Sequence, residues 1–296
     1  ISETMPPYFL AEIKDVPLEE EIEVLARIDN LRPIGKKLYF FLLRDGKHTL
    51  QAVFHRDVKF PPTFKEEVPT ETVVKIKGIL AKAPFPITGA SYQEVELKAT
   101  DLTVVSKGSS SLPFQVGAVG SDADYFPEVG QALRLDYRTL DLRSKLNNLI
   151  FSFQATVCKA FRSFLLEQGF REIHSPKLIG TASEGGAEVF EVKYFEGKAY
   201  LAQSPQLYKQ MAINSDLGKG VFEVGPVFRA ENSHSKRHMT EFTGLDLEMR
   251  IREHYHEVLH FLYRLLCHIF GTLKEEHKED FPWLSEKLKF APLEYP

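Results

Sequence analysis

GPVFRAENSHSKRHMTEFTGLDLEMR, residues 225–250, has the pattern of two strands joined by a long polar loop. Its ends are rich in aromatic and other apolar residues, which predict strands at about 221–230 and 240–250. The segment between them is dense in Asn, Ser, Lys, Arg and His. The stretch therefore predicts a strand, a polar loop and a returning strand.

The charged and aromatic residues of this hairpin suit a nucleotide. Arg229 follows an aromatic residue, and its guanidinium can pair with a phosphate through two parallel hydrogen bonds. Arg237 and His238 in the loop can reach more distal phosphates, and Phe242 can stack on a base. The pattern favours ATP as a ligand, although a solvated polar hairpin without a ligand would have the same pattern.

Helical and strand patterns continue on both sides of the hairpin. KLNNLIFSFQATVCKAFRSFLLEQG predicts a long helix that ends at Gly169, the left-handed residue expected after a helix. A strand in FREIHSP follows, then a hairpin in VFEVKYFEGKAYLAQ. A short helix has Ser204 as its cap and Pro205 at its first position. A last helix is predicted at about 252–276.

The N-terminal third contains five segments rich in β-branched and aromatic residues. These predicted strands are 22–28, 38–44, 49–54, 71–80 and 92–105. A longer segment, FHRDVKFPPTFKEEVPT, separates the third strand from the fourth, which suits a small closed Greek-key barrel of the OB type. An SH3-like or open β domain would give the same number of strands.

A change of composition separates this barrel from the rest of the chain. Residues 106–131 are dense in Ser, Gly, Pro and Asp, which predicts a linker. We therefore predict an N-terminal extension at 1–20, an OB-fold domain at 21–107, a linker or hinge at 108–143 and a second domain at 144–296.

The composition is that of a globular protein, with 296 residues and 43% hydrophobic content. No run approaches the roughly 18 consecutive apolar residues of a membrane span, and the N-terminus lacks the features of a signal peptide. We therefore expect no membrane association. Cys158 and Cys267 lie far apart in apolar helical segments, which predicts buried thiols in a reducing compartment, the cytoplasm.

A net charge of −4 means that any nucleic acid must be bound by a local basic face. The candidate face, in which Asp45 is the single acid, comprises Arg32, Lys36, Lys37, Arg44 and Lys47. A solvated loop is the alternative for this segment.

HEVLH, residues 256–260, fits the zinc-peptidase pattern H-E-x-x-H. On a helix, His256 and His260 would share one face, and Glu257 could act as general base. A third ligand could come from Glu275, Glu276 or Glu279. However, a helical period places both histidines beside an apolar stripe of Val258, Leu259, Leu262, Leu265, Leu266 and Ile269. We expect no metal here and keep a zinc peptidase only as an alternative.

FREIHSPKL and FRAENSHSKRHMTEFTGLDLEM resemble motifs 1 and 2 of class II aminoacyl-tRNA synthetases. The segment EFTGLDLE is similar to that of aspartyl-tRNA synthetases of the eukaryotic cytosolic type, and it differs from the related asparaginyl and lysyl enzymes. The resemblance extends from about residue 20 to residue 260. It implies an α+β fold: an OB-fold anticodon-binding barrel, then a class II catalytic domain with an antiparallel sheet and flanking helices.

The resemblance also implies a role for individual residues. Arg229 would be the catalytic residue on the α-phosphate, within an ATP site of Arg229, Glu231, Arg237, His238, Met239 and Phe242. Lys209 of QSPQLYKQ would pair with the side-chain carboxylate of L-aspartate. The ammonium group of aspartate would be held by Glu184, Gln206 and Asp246. The anticodon of tRNA-Asp would contact Arg32, Phe40, Gln51 and Glu96.

The implied enzyme activates L-aspartate with ATP and Mg²⁺, transfers it to the 3′ end of tRNA-Asp, and is a homodimer with Pro176 at its interface. The family's third motif and the segment with its acidic Mg²⁺ ligands are not found in residues 1–296. We therefore expect the C-terminal part of the catalytic domain to be missing and these residues alone to be inactive. A non-catalytic, synthetase-derived module that binds tRNA or a protein is the alternative.

Overall fold

A computed structural model describes residues 6–35, 38–55, 68–119, 129–181, 189–233, 235 and 238–288. The chain divides into two compact units, Ile1–Phe151 and Ser152–Pro296. The first unit is built mainly of strands, and the second combines helices with two small sheets. The predicted α+β class is confirmed.

The first unit contains a closed five-stranded barrel with the strand order β1-β2-β3-β5-β4. The strands are β1 (Glu21–Ile34), β2 (Leu38–Asp45), β3 (His48–His55), β4 (Val73–Lys82) and β5 (Val95–Ser106). Neighbouring strands are antiparallel except β3 and β5, which pair in parallel. The predicted OB-type barrel is confirmed, and each predicted strand overlaps an observed one.

Alternating side chains give the barrel strands one buried face and one outer face. Every second residue in the first part of β1 is buried, namely Ile22, Val24, Ala26 and Ile28. Phe41 of β2 and Phe54 of β3 meet edge to face in the core, with ring centroids 4.9 Å apart. Phe40, the neighbour of Phe41, is half-buried and lies outside this core. The strand period therefore leaves Phe40 available at the barrel surface.

Gly78 allows β4 and β5 to approach closely where their register shifts. A Cβ atom at this position would lie 2.4 Å from the carbonyl oxygen of Lys98, so a larger residue would force the strands apart.

The side chain of Arg44 points into the interior of the first unit and is only 8% exposed. It donates to Asp29 at 2.7 Å and also pairs with Glu71, whose other carboxylate oxygen accepts from Arg143 at 2.9 Å. Burial, with a contribution from the nearby positive charge of Arg143, lowers the pKa of Arg27. These carboxylates compensate the charge of Arg44.

The predicted basic face is therefore wrong at Arg44, because its guanidinium is buried among carboxylates instead of facing solvent. Arg32 is exposed and does lie at the surface, whereas Lys36 and Lys37 lie outside the described residues.

Two short helices, α1 (Gln131–Asp136) and α2 (Arg138–Asp141), precede the long helix α3 (Lys145–Glu167). They were not predicted. Asp141 is fully buried, and its carboxylate pairs with Arg134 and Arg138 and accepts from Asn147 at 2.8 Å.

Helix α3 ends as predicted, before Gly169, whose φ of +82° is left-handed. Among the described residues, α3 is the one helix long and apolar enough to cross a membrane by length and composition. Its residues Ala160, Phe161, Phe164 and Leu165 are nevertheless buried in the core of the second unit.

The second unit contains two three-stranded sheets, with the orders β11-β10-β6 and β7-β9-β8. The strands are β6 (Arg171–Glu172), β7 (Leu178–Ile179), β8 (Glu191–Tyr194), β9 (Gly197–Leu201), β10 (Gly220–Phe228) and β11 (Glu241–Met249). The helices after α3 are α4 (Gln206–Asn214), α5 (His256–Glu276) and α6 (Phe281–Leu288). Phe222 of β10 packs between α3 and α5, against Phe161 and near Phe261.

Several predicted boundaries differ from the observed ones. In FREIHSP only two residues pair as a strand, and α6 was not predicted. Helix α4 begins at Gln206, one residue later than predicted, although the Ser204 hydroxyl still accepts from the Gln206 N–H at 3.3 Å. Cys158 and Cys267 are free thiols, but they are half-buried rather than buried.

Helix α5 differs from its prediction in two ways. It begins at His256 rather than 252. The backbone N–H groups of residues 252–254 instead donate to the Glu257 carboxylate, which holds these residues in a non-helical turn before the helix. Its buried face consists of Phe261, Leu265, Ile269 and Leu273. The sequence pattern placed Leu259 and Leu266 in the apolar stripe, but they are 53% and 52% exposed. The buried face runs through Phe261, Leu265 and Ile269, and both leucines lie beside it.

Candidate active site and nucleic-acid interface

The β10–β11 hairpin has one apolar face and one polar face. Strand alternation places Phe222 and Val224 of β10 and Leu247 and Met249 of β11 against the core of α3 and α5. The opposite face carries Glu223, Arg229, Phe242, Asp246 and Glu248. The apolar face therefore fixes a sheet surface on which charged and aromatic residues lie side by side.

Two glycines, Gly225 and Gly244, are directly opposite each other on this polar face. A Cβ atom at Gly244 would lie 2.7 Å from the Asp246 carboxylate and 2.8 Å from Val227. The absence of a side chain at Gly244 therefore lets the Asp246 carboxylate and Val227 lie against the backbone of the sheet.

Arg229 lies at the end of the hairpin that leads into the polar loop. Its backbone N–H donates to Thr240 at 2.9 Å, which continues the strand pairing. Its guanidinium carbon lies 5.6 Å from the centre of the Phe242 ring, and one of its terminal nitrogens lies 4.0 Å from a carboxylate oxygen of Glu231. Within the described part of the chain, the buried Nε of Arg229 has no hydrogen-bond partner. An unpaired buried donor on a cation is suited to an anionic ligand.

The polar loop brings further predicted residues near Arg229. His238 Nε2 lies 3.5 Å from Glu231, and its Nδ1 contacts the Ser233 hydroxyl at 3.2 Å. Met239 is 67% exposed. Arg237 lies outside the described residues.

Lys209 of α4 reaches the other end of the polar face. It is buried, with 8% of its side chain exposed, and its Nζ lies 3.3 Å from Asp246 and 3.7 Å from Glu248. It also donates to the backbone oxygen of Leu247 at 3.1 Å. The structure thus brings together Lys209 and Asp246, both predicted to bind aspartate, and adds a second carboxylate.

Gln206 and Glu184 are the two remaining residues predicted to bind aspartate. Gln206 is exposed at the start of α4, one helical turn before Lys209, and Glu184 lies outside the described residues.

Sequence reasoning missed two carboxylates of this surface, Glu248 and Glu223. Glu223 is buried, pairs with Lys177 at 2.7 Å and accepts from the Ser175 hydroxyl at 2.6 Å. Period-two alternation from Asp246 would have found Glu248, and pairing across the hairpin would have found Glu223.

Within the described part of the chain, His, Cys, Asp and Glu side chains form no group of three or more that could hold a metal ion by themselves. We assign no Mg²⁺ ligand to these residues.

The barrel carries a separate candidate site on its outer surface. Arg32, Phe40, Gln51 and Glu96, the four residues predicted to contact an anticodon, line one cavity of about 530 Å³. The Arg32 guanidinium lies 5.5 Å from the centre of the Phe40 ring, and the Gln51 amide donates to Glu96 at 3.1 Å. A half-buried ring beside an amide and a cation can stack on a base and hydrogen-bond to its edge.

Pro176, the predicted dimer-interface residue, is exposed between β6 and β7. Its exposure leaves it accessible to a second subunit, and its role stays a prediction.

The histidines of HEVLH are both exposed at the start of α5, and Glu257 accepts the backbone N–H groups of residues 252–254 just before the helix. Backbone hydrogen bonds from Glu253, Arg252 and His254 lower the pKa of Glu257. We expect protein purified without an affinity tag and exposed briefly to chelator to contain less than stoichiometric zinc. Since His256 is exposed, His256→Ala should leave the zinc content unchanged. One tightly bound zinc per chain, lost in that variant, would support the peptidase alternative.

Two family models match the chain. One, described as tRNA synthetases class II (D, K and N), matches residues 130–296. The other, described as an OB-fold nucleic acid binding domain, matches residues 22–105.

Curated relatives agree with these models. Cytoplasmic aspartate–tRNA ligase 1 of Dictyostelium discoideum is 38% identical over 97% of this chain and 56% of that protein. The cytoplasmic aspartate–tRNA ligase of Homo sapiens is 38% identical over 99% of this chain and 60% of that protein. The chain thus spans less than two thirds of the length of these relatives.

Solved structures give the same result. The aspartyl-tRNA synthetase from Entamoeba histolytica is similar with a TM-score of 0.80 and 36% identity, over 99% of this chain and 60% of that one. Asparaginyl-tRNA synthetase from Pyrococcus horikoshii, complexed with asparaginyl-adenylate, has a TM-score of 0.80 at 27% identity, over 98% and 64% of the two chains. The fold, the polar hairpin and the family match over more than half of its length show that the chain belongs to the class II tRNA synthetases of the D, K and N group.

Proposed function

We propose that the full-length protein containing this chain is an aspartate–tRNA ligase. It activates L-aspartate with ATP to form aspartyl-adenylate and transfers the aspartyl group to the 3′ end of tRNA-Asp. The observation that carries this proposal is the ion pair between the buried Lys209 and the half-buried Asp246 on the polar face of the hairpin. The names of relatives 38% identical to this chain support aspartate, whereas the asparaginyl enzyme from P. horikoshii is 27% identical.

Aspartate can replace the Lys209–Asp246 pair by an exchange of partners. Its side-chain carboxylate takes the place of Asp246 beside the Lys209 ammonium, and its own ammonium group takes the place of Lys209 beside Asp246. Each buried charge keeps an opposite charge throughout, which avoids the large cost of an unpaired ion. The Leu247 carbonyl and Glu248 continue to hold Lys209 in position. Gln206 and Glu184 would complete the ammonium site.

ATP would occupy the opposite end of the same face. Phe242 would lie under the adenine ring, Glu231 and Met239 on the adenine side, and His238 and Arg237 near the terminal phosphates. Arg229, whose side chain is 43% exposed, would bind the α-phosphate through its guanidinium N–H groups. The substrate α-carboxylate attacks the α-phosphorus and pyrophosphate leaves. Arg229 stabilises the charge that develops on the phosphorus oxygens.

Mg²⁺, when bound, would neutralise charge on the phosphates of ATP. Its ligands are proposed to be the acidic residues of the segment that the resemblance implies and that is not found in residues 1–296.

The barrel would bind the anticodon loop of tRNA-Asp. Unpaired loop bases stack on exposed aromatic rings in OB domains, and the cavity around Phe40 combines a ring, a guanidinium, an amide and a carboxylate. The proposed protein is also a homodimer with Pro176 at its interface. Its proposed location is the cytoplasm, which appears in the names of the curated relatives.

Exchange of labelled pyrophosphate into ATP by the full-length protein tests the first step. We expect the exchange to require aspartate. Exchange with lysine, or exchange that needs no amino acid, would contradict the proposed function.

Phe40→Ala should weaken binding of tRNA-Asp by about 1–3 kcal/mol, the contribution of one base stacked on an aromatic ring. Aspartate-dependent pyrophosphate exchange should continue at its normal rate, because that reaction needs no tRNA. Filter binding or fluorescence anisotropy measures the affinity. If the variant is folded and its affinity is unchanged, Phe40 does not contact the anticodon.

A further inference from the structure

The loop between β4 and β5 presents an aromatic ring that no predicted role explains. Phe85 is 79% exposed, so its ring makes little contact with the barrel. It lies between Pro84 and Pro86, whose fixed backbone angles restrict the conformations of this segment. An exposed ring on a restricted backbone loses little conformational entropy when it binds a partner.

The rest of the loop is fastened to the barrel. The Ala83 N–H donates to Glu94 at 2.9 Å, and the Ile87 N–H donates to Gln93 at 2.9 Å, so the two arms pair beyond the strands. Ser91 and Thr49 exchange hydrogen bonds of 2.7 Å between side chain and backbone. The Tyr92 hydroxyl donates to the Leu10 carbonyl at 2.7 Å. These bonds hold the loop arms while Phe85 projects at the tip.

Phe85 lines the cavity that also contains Phe40. The loop from Pro84 to Gly89 forms one side of this cavity, and the side chains of β1, β2, β3 and β5 form the other. The volume of about 530 Å³ is within the range of small-ligand sites. Phe40 and Phe85 are therefore two accessible rings, one on the barrel wall and one on the loop, that face the same space.

We propose that Phe85 stacks on a second unpaired base of the RNA loop whose first base stacks on Phe40. This inference rests on the proposed function, in which the barrel binds tRNA. The loop between the fourth and fifth strands is a region that OB domains use for oligonucleotides, and bases stacked on aromatic rings are their usual contact. A single exposed apolar residue needs no explanation by itself. Here the ring shares a cavity with a cation, an amide and a carboxylate, the groups that recognise base edges.

The test measures binding of the full-length protein to the isolated anticodon stem-loop of tRNA-Asp. Phe85→Ala should weaken binding by roughly 5- to 150-fold, which corresponds to loss of one stacked base. Phe85→Trp should bind about as tightly as the wild type. Phe85→Leu, which keeps an apolar side chain but has no ring face, should lose affinity as alanine does. Because no phosphate contact is removed, the slope of log affinity against log salt should stay unchanged.

Phe195→Ala is the matched control, since Phe195 has the same 79% exposure but lies at the turn between β8 and β9. It should bind the stem-loop normally. In the double variant of Phe40 and Phe85, the two losses should add, because separate bases are involved. Normal binding by Phe85→Ala while Phe40→Ala binds weakly would overturn this inference alone. Absence of stem-loop binding by the wild type would overturn the proposed tRNA function and this inference with it.

Discussion

Arg229→Ala in the full-length protein should reduce aspartate-dependent exchange of labelled pyrophosphate into ATP by about 10²- to 10³-fold. This is the usual loss when one donor to a transition-state oxyanion is removed. Within the described part of the chain, the Arg229 guanidinium makes one long ion pair, 4.0 Å to Glu231, and its side chain is 43% exposed. It can therefore still bind an anionic ligand. We expect kcat to fall more than KM rises.

The matched control for this variant is Arg250→Ala. Arg250 follows the opposite end of the same hairpin, where it pairs with Asp216 at the surface. Removal of an exposed pair has little effect on stability, and Arg250 makes no predicted contact with a substrate. We therefore expect near-normal exchange. If Arg229→Ala were folded and exchanged pyrophosphate at the wild-type rate, the ATP site would lie elsewhere.

Lys209→Met should lower kcat/KM for aspartate by about 10³-fold or more, because the substrate carboxylate would enter a buried site without its cation. The wild type should prefer aspartate over asparagine by about 10⁴-fold. An amide cannot replace the Asp246 carboxylate beside a buried ammonium group. The measurement is amino-acid-dependent pyrophosphate exchange over a range of aspartate and asparagine concentrations.

Lys198→Met serves as the control, since Lys198 is 66% exposed on its side chain and pairs with Glu191 at the surface. It should leave the specificity unchanged. Because Lys209→Met also leaves Asp246 and Glu248 without their cation, its thermal stability should be measured, and Lys209→Arg tests whether charge alone restores aspartate activation. A folded Lys209→Met protein with normal aspartate kinetics would contradict the role of this lysine.

The sequence predicted helices and strands well where apolar residues recur with a single period, two for a strand or 3.6 for a helix. In β1 the alternation of buried Ile22, Val24, Ala26 and Ile28 made the barrel strand visible from sequence. Boundaries set by side-chain hydrogen bonds were not visible. Helix α5 starts four residues later than predicted because Glu257 binds three backbone N–H groups, and no periodicity encodes that contact.

The sequence alone could not predict contacts between residues that are far apart along the chain. Arg44 looked like part of a basic face because its carboxylate partners Asp29 and Glu71 lie 15 and 27 residues away in sequence. Leu259 and Leu266 fit a helical stripe, but only packing against α3 and β10 showed that Phe261 defines the buried face. In the candidate site, the resemblance identified Lys209 and Asp246, and the pairing of β10 with β11 added Glu223 and Glu248 to the same surface.

An aminoacylation assay with the full-length protein and tRNA-Asp is the most direct test of the proposed function. The wild-type protein would be supplied with ATP, Mg²⁺ and tRNA-Asp, together with one amino acid at a time: aspartate, asparagine or lysine. The amino acid esterified to the tRNA would then be identified by mass spectrometry. We predict aspartyl-tRNA with aspartate and no product above background with the other two. Asparaginyl-tRNA, lysyl-tRNA, or no aminoacylation by the folded full-length protein would contradict the assignment.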